Sequence, residues 1–402
     1  MSIERFTIAI PQNILDDLNN RLDNTRWLDA LGDEGWKYGL SIPWMRKLIS
    51  YWRNNYDWRE QEEELNSFAN FRVTLRDDTA IHFIYERGRG PAPLPIILTH
   101  GFPDSFARFA TLIPLLTDPA AYGGSEDDAF DVVVPSLPGF AFSPMPTPHV
   151  SVFRVGDLWN ELMTKHLGYD RYVAHGGDWG STITEFLARD HSDHVLAMHL
   201  TDVPFMHVFQ KPKVVTHAEQ KYLDQIQKWQ QTDGGYALVQ GSQTQALALG
   251  LNDSPAGLAA WLIEKYRRWS DCDGDVERSF TKDQLLTNVM LYWATQTINS
   301  SFLPYHDVAS AGAMTWIGQK FKEWEGSAKV PAAFAMFPKD LSRPPSEWAE
   351  RFFNVQRWTE MPRGGHFAAM EEPELLAEDI RASFRPLRSG VARSHIMIGG
   401  AA

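Results

Sequence analysis

The residues that speak most directly of chemistry are Gly176-Gly177-Asp178-Trp179-Gly180. They follow the apolar run Arg171–His175, which reads as a short buried strand, and precede Ser181–Arg189, which reads as a helix. A strand, a tight turn of small residues and then a helix is the local geometry of a nucleophile elbow. The tip residue here is a carboxylate. A Ser in that place must lose a proton before it attacks, whereas an Asp, with an ordinary pKa of about 3.9, is already ionised at neutral pH. Such an Asp can attack a strained or activated sp³ carbon and form an alkyl-enzyme ester. A base is then needed only to activate the water that cleaves the ester. Taken alone, the stretch also fits an Asp that caps a helix or closes a turn.

Other residues have the types that this chemistry requires. His100-Gly101-Phe102-Pro103 ends a candidate strand, and Gly101 allows close backbone approach. A turn there can aim an N–H at the elbow, so the oxyanion donors would be the backbone N–H groups of Phe102 and Trp179. The side chains of Phe102 and Trp179 are also expected to touch substrate. Pro103 has no N–H and only shapes the turn. His366 lies in the Gly-rich loop Arg363–Phe367, before the last predicted helix. That is the place of the base in a chain ordered nucleophile, acid, His. The acid that orients it is expected to be Asp340, just after the strand-like run 332–337; Glu347, Glu350 and Glu360 lie farther from the strand end. Glu371-Glu372-Pro373 reads as a charged helix start. Opening a C–O bond also needs a donor for the leaving oxygen. A neutral Tyr, with a pKa near 10, can supply it. Tyr236 and Tyr305 suit that role, while Tyr222, Tyr266 and Tyr292 sit inside helical patterns and read as packing residues. Spacing alone does not bring Tyr236 and Tyr305 together.

The elements that must position these residues change character along the chain. Residues 1–69 read as a helical strap, with helices at Pro11–Leu22, Ile42–Trp52 and Trp58–Phe68. None of these can form its own core. From residue 70, strand-like Phe71–Leu75, Ile81–Tyr85, Pro95–Thr99, Asp131–Val134 and Val195–Leu200 alternate with helical patterns at 105–116, 152–167 and 181–190. Residues 206–324 lose the strand signal and read as helices, among them Ala218–Gln230, Pro255–Trp269 and Lys282–Asn299. The α/β pattern returns over 325–386, with Ala332–Phe337 as a strand and Glu372–Phe384 as a helix, and 387–402 reads as a tail without a period. The expectation is an α/β fold: a mostly parallel sheet flanked by helices, split into core segments 70–205 and 325–386 by a helical cap.

Composition narrows the partners. A net charge of −13 argues against nucleic acid and anionic membrane surfaces. Cys272 is the only cysteine, so no intrachain disulfide forms and a reducing, cytoplasmic setting is expected. There is no apolar run long enough for a membrane anchor and no signal-like start, so a soluble protein is expected. The oligomeric state stays open, with a homodimer among the options. The chemistry outlined needs no metal and no cofactor.

Several stretches together resemble the epoxide hydrolases of the microsomal type, including their fungal and juvenile-hormone relatives. They are Leu48–Arg53, His100–Pro103, Gly139–Ser143, Gly176–Ser181, Leu251–Ala260, Leu286–Trp293 and Gly364–Ala369. The resemblance implies the α/β-hydrolase fold with an N-terminal strap and an inserted cap. It also implies Asp178 as nucleophile, His366 as base, Asp340 as acid and Tyr236 and Tyr305 as the cap tyrosines. The expected substrate is a small apolar epoxide, opened to a vicinal diol. Phe102 stands where many members have Trp, which matters little if its backbone does the work. A haloalkane dehalogenase would use the same Asp but has no need of paired cap tyrosines. A silent carrier of apolar ligands has no use for a buried charged relay.

Overall fold

The computed structural model describes residues 3–29, 31, 35–210, 212–310, 312–324 and 328–390. Nine strands form one sheet: β1 (Glu4–Arg5), β2 (Asn70–Thr74), β3 (Ala80–Glu86), β4 (Leu94–Thr99), β5 (Phe130–Pro135), β6 (Tyr172–Gly176), β7 (Val195–Leu200), β8 (Pro331–Met336) and β9 (Asn354–Glu360). Their order is β1-β2-β3-β5-β4-β6-β7-β8-β9. The pairs from β1 to β3, and β3 with β5, are antiparallel; every pair from β5 to β9 is parallel. β4 and β5 are buried at every residue. Helices cover both faces of a parallel sheet, so its strands carry continuous apolar runs and not an alternation. β4 and β6 are neighbours, which places the turns that follow them, at Gly101 and at Asp178, side by side at the C-terminal edge of the sheet.

Between β7 and β8 the chain leaves the sheet and folds as helices, from His217–Thr232 to Ala313–Glu323. The strap rests on this block as well as on the core. Tyr51 donates its hydroxyl to Asp283 at 2.9 Å, Tyr56 and Thr287 share a hydrogen bond of 3.1 Å, and Arg21 pairs with Asp253 at 2.8 Å. Each strap helix has its own local cause. The helix Ile42–Asn54 begins with Ser41, whose hydroxyl accepts the Trp44 N–H, and has Pro43 in its first turn. It buries Met45, Leu48, Ile49 and Trp52 on one side.

Several elements differ from expectation. The pattern at 152–167 is a 3₁₀ turn, the helix Val155–Glu161 and a π-helical turn at Leu162–His166. The pattern at Lys282–Asn299 stops at Thr295, because Gln296 adopts φ 55° and caps the helix in the left-handed region. Two stretches read with no strand signal, Glu4–Arg5 and Asn354–Glu360, pair onto the two ends of the sheet. Of the tail, residues 391–402 lie outside the described residues. No helix among the described residues is long and apolar enough to cross a membrane.

The last helix, Pro373–Phe384, is clamped to the sheet by Asp379. Its carboxylate is almost fully buried and accepts hydrogen bonds from His199 at 3.0 Å, Arg357 at 2.8 and 2.6 Å, and Thr359 at 2.8 Å. Burial would raise its pKa, but these donors outweigh burial and hold it at about 2. A depressed carboxylate stabilises the fold above its unfolded pKa near 4 and loses that contribution as pH falls through 2. Wild type should therefore lose about 2 kcal/mol of unfolding free energy between pH 4 and pH 2 relative to Asp379→Asn. Denaturant titrations of both proteins across that range check this, and parallel curves would contradict it.

Candidate active site

Asp178 stands at the tip of β6, at φ 59° and ψ −127°. This backbone is rare for a residue with a Cβ and costs about 1–3 kcal/mol, so it persists only where its surroundings enforce it. The enforcement is steric and starts with glycine. A Cβ on Gly176 would overlap the Gly180 carbonyl, and a Cβ on Gly101 would overlap the Asp178 carboxylate itself. The turn after β4 can therefore come within hydrogen-bonding range of the Asp178 carboxylate. The Phe102 N–H donates to Asp178 Oδ1 at 2.8 Å. The second expected donor, the Trp179 N–H, opens the helix Trp179–Asp190 and makes no hydrogen bond to this carboxylate.

His366 lies between two carboxylates. Its Nδ1 is 2.7 Å from Asp340 Oδ1, and its Nε2 is 3.4 Å from Asp178 Oδ2. Asp340 follows β8 and also accepts the Leu341 N–H at 2.6 Å. The side chains of His366 and Asp340 are each 4% exposed, so the ion pairs are poorly screened. Burial disfavours the imidazolium, but the charge of Asp340 and the contact with Asp178 outweigh it, and the His366 pKa is held well above its ordinary value.

Tyr236 lies in the first turn of the helix Gly235–Ser242, and Tyr305 lies in the helix Leu303–Ala309. Their rings meet edge to face at 5.7 Å, and Tyr305 also meets Trp179 at 5.1 Å and Phe102 at 5.6 Å. Both tyrosines share one cavity of about 630 Å³ with Asp178, Asp340 and His366. The Tyr305 hydroxyl is buried, with Tyr236 and Trp179 as its polar neighbours. Burial raises both phenol pKa values, and the Asp178 charge adds to it, so both hydroxyls stay neutral donors. The cavity is otherwise largely apolar, with Phe205, Met206, Ile226, Trp229 and Val308 in its wall. The sequence-predicted residues thus converge: Phe102, Asp178, Trp179, Tyr236, Tyr305, Asp340 and His366 are gathered at one end of the sheet. Trp179 lines the cavity directly; Phe102 reaches the site through its N–H and its contact with Tyr305.

A supporting shell escaped the sequence reading. Asp104 accepts the Gly101 N–H at 3.0 Å and pairs with the buried Arg108, which also donates to the His366 carbonyl at 3.2 Å. One guanidinium thus ties the Phe102 turn to the His366 loop. Asn288 donates to the Pro103 carbonyl and Tyr292 to the Asp104 carbonyl, both at 2.7 Å, so Tyr292 does more than pack. The His366 N–H donates to the Trp269 carbonyl at 2.8 Å, and the Trp269 ring meets His366 edge-on at 5.3 Å. Glu371 ends the short helix Ala368–Glu371 and accepts the N–H groups of Asp271 at 2.7 Å and Phe367 at 2.9 Å, so it anchors the loop, while Glu372 and Pro373 start the last helix as expected. His100, His175 and His199 are structural: His100 accepts the Leu137 N–H at 3.1 Å, and His175 bonds to His199 at 3.0 Å. No cluster of His, Cys, Asp and Glu suited to a metal occurs among the described residues.

A parallel sheet with an acidic elbow, a His on the last loop and an inserted helical cap defines an α/β-hydrolase. Comparison with known proteins agrees. Residues 3–109 match the family described as epoxide hydrolase N terminus, and residues 95–245 match the alpha/beta hydrolase fold family. A Stigmatella aurantiaca protein, provisionally named an epoxide hydrolase, is 41% identical over 390 residues, which cover 96% of this chain and 86% of the relative. Epoxide hydrolase 1 of Sus scrofa is 34% identical, over 94% of this chain and 88% of its own length. The crystal structure of juvenile hormone epoxide hydrolase from Bombyx mori superposes with a TM-score of 0.85 at 27% identity, covering 96% of this chain and 95% of that one. The chain belongs to the epoxide hydrolase family.

Proposed function

We propose that this enzyme hydrolyses small apolar epoxides to vicinal diols through an ester on Asp178. The observation that carries the reading is His366 set between Asp340 and Asp178, with two neutral tyrosines sharing the cavity. In the first step an Asp178 oxygen attacks a ring carbon and the C–O bond of the ring breaks. The departing oxygen takes a proton from Tyr236 or Tyr305. Attack removes the Asp178 charge, one of the two that hold the imidazolium. His366 then gives its proton to the tyrosinate and becomes available as a base.

In the second step His366 takes a proton from water, and the hydroxide adds to the ester carbon of Asp178. The negative charge collects on the oxygen held by the Phe102 N–H. In this state a second donor, Trp179, becomes useful; one oxyanion donor is worth about 10²–10³ in rate. Collapse releases the diol alkoxide, which takes the proton of the carboxylic acid left on Asp178. Asp340 holds the tautomer of His366 and stabilises its charged form.

Substituting His366→Gln should leave the first step and stop the second. Mass spectrometry should find one equivalent of substrate on the peptide that contains Asp178; an enzyme with neither burst nor adduct under saturating epoxide would contradict this role. The tyrosines call for a different pattern. Tyr236→Phe and Tyr305→Phe should each keep partial activity, because the survivor still donates. The double variant should keep its fold and lose alkylation by at least the 10²-fold or so that a general acid supplies. Adduct formation at the wild-type rate in that double variant would remove the tyrosines from the mechanism.

A further inference from the structure

Asp202 follows β7 and has no role in the reaction outlined above. Its carboxyl lines the cavity beside Asp178, Asp340 and His366. Oδ1 accepts the backbone N–H of Asp178 at 2.9 Å and the Ser181 hydroxyl at 2.5 Å. No described residue donates to Oδ2. The bond to Asp178 reaches the one backbone N–H of the elbow whose residue has both a Cβ and a positive φ. A second tie runs from the same strand end, where the Thr201 N–H donates to the Gly176 carbonyl at 3.2 Å. β7 therefore holds the elbow from behind, while the Phe102 turn holds its carboxylate from the front.

We propose that Asp202 is a positioning residue for the nucleophile, which fixes the Asp178 backbone so that the carboxylate stays aimed between the Phe102 N–H and His366. The inference rests on the covalent role of Asp178 given above. It acts through an acceptor and not through a charge. Burial, then the neighbouring Asp340, pushes the Asp202 carboxyl up to about 7, against the lowering effects of Ser181 and His366. Oδ1 is already engaged by two donors, so a proton taken up near neutrality goes to Oδ2, and Oδ1 accepts in either state. An amide oxygen can do the same. A methyl or an isobutyl group cannot.

Rapid-quench mass spectrometry of the Asp178 adduct, over a series of epoxide concentrations, separates these cases. Asp202→Ala should lower the limiting alkylation rate about 10- to 100-fold, the cost of a nucleophile displaced by roughly 1 Å. The half-saturating epoxide concentration should stay within about twofold, because the apolar wall that binds substrate is untouched. Asp202→Leu, an apolar group of similar shape that leaves no buried charge, should fold and show the same slow rate. Asp202→Asn should restore alkylation to within about threefold of wild type. Burst amplitude normalises every rate to folded enzyme. A wild-type limiting rate in the Ala and Leu variants overturns the proposal, as does an Asn variant as slow as they are, or a loss confined to half-saturation. Absence of the Asp178 adduct in His366→Gln would overturn the covalent reading, and this inference with it.

Discussion

The site depends on one constraint: a carboxylate must be held at a backbone conformation that its own Cβ disfavours. Asp178 at φ 59° projects its side chain off the end of β6, clear of the helix that follows. Small residues enforce the strained geometry, because glycines at 101, 176 and 180 let three backbone segments touch where a methyl group would collide. Strain of this kind persists only where several neighbours agree on it, and here β4, β6 and β7 all contribute.

The cap and the strap extend the same logic outward. The cap carries the two tyrosines, but it also grips the loops of the core. Asn288 and Tyr292 hold the Phe102 turn, and the Trp269 carbonyl holds the His366 loop. Loops on a sheet edge are ordinarily its least constrained parts; here these two are pinned by the inserted cap. The strap in turn is bonded to those cap helices through Tyr51, Tyr56 and Arg21. Residues from the N-terminal helices thereby bear on the site without lining its cavity.

What could be read in the sequence follows from how local each signal is. β4, β5 and β7 were legible because parallel strands buried on both faces are unbroken apolar runs. Asp178 and Asp340 were legible because each sits where a predicted strand ends, and His366 because its Gly-rich loop precedes the last predicted helix, in the chain order that their chemistry requires. Tyr236 and Tyr305 were candidates by type, and only the packing of two short helices brings their rings together. Glu4–Arg5 could not be read as a strand, since two polar residues acquire that identity solely by pairing with Phe71 and Arg72. The break at Gln296 could not be read either, because its left-handed turn is set by the packing of the cap. Asp202, Arg108 and the Trp269 carbonyl act through backbone groups distant in sequence, and no residue pattern encodes such a contact.

The central claim is that Asp178 attacks carbon, so the oxygen added to the first diol comes from the protein. A single turnover in ¹⁸O-enriched water, with enzyme in excess over epoxide, measures this directly. The account predicts that the first diol carries unlabelled oxygen and that the label enters the peptide containing Asp178. Solvent ¹⁸O in the diol of that first turnover would mean that water attacks the epoxide itself, and would contradict the account.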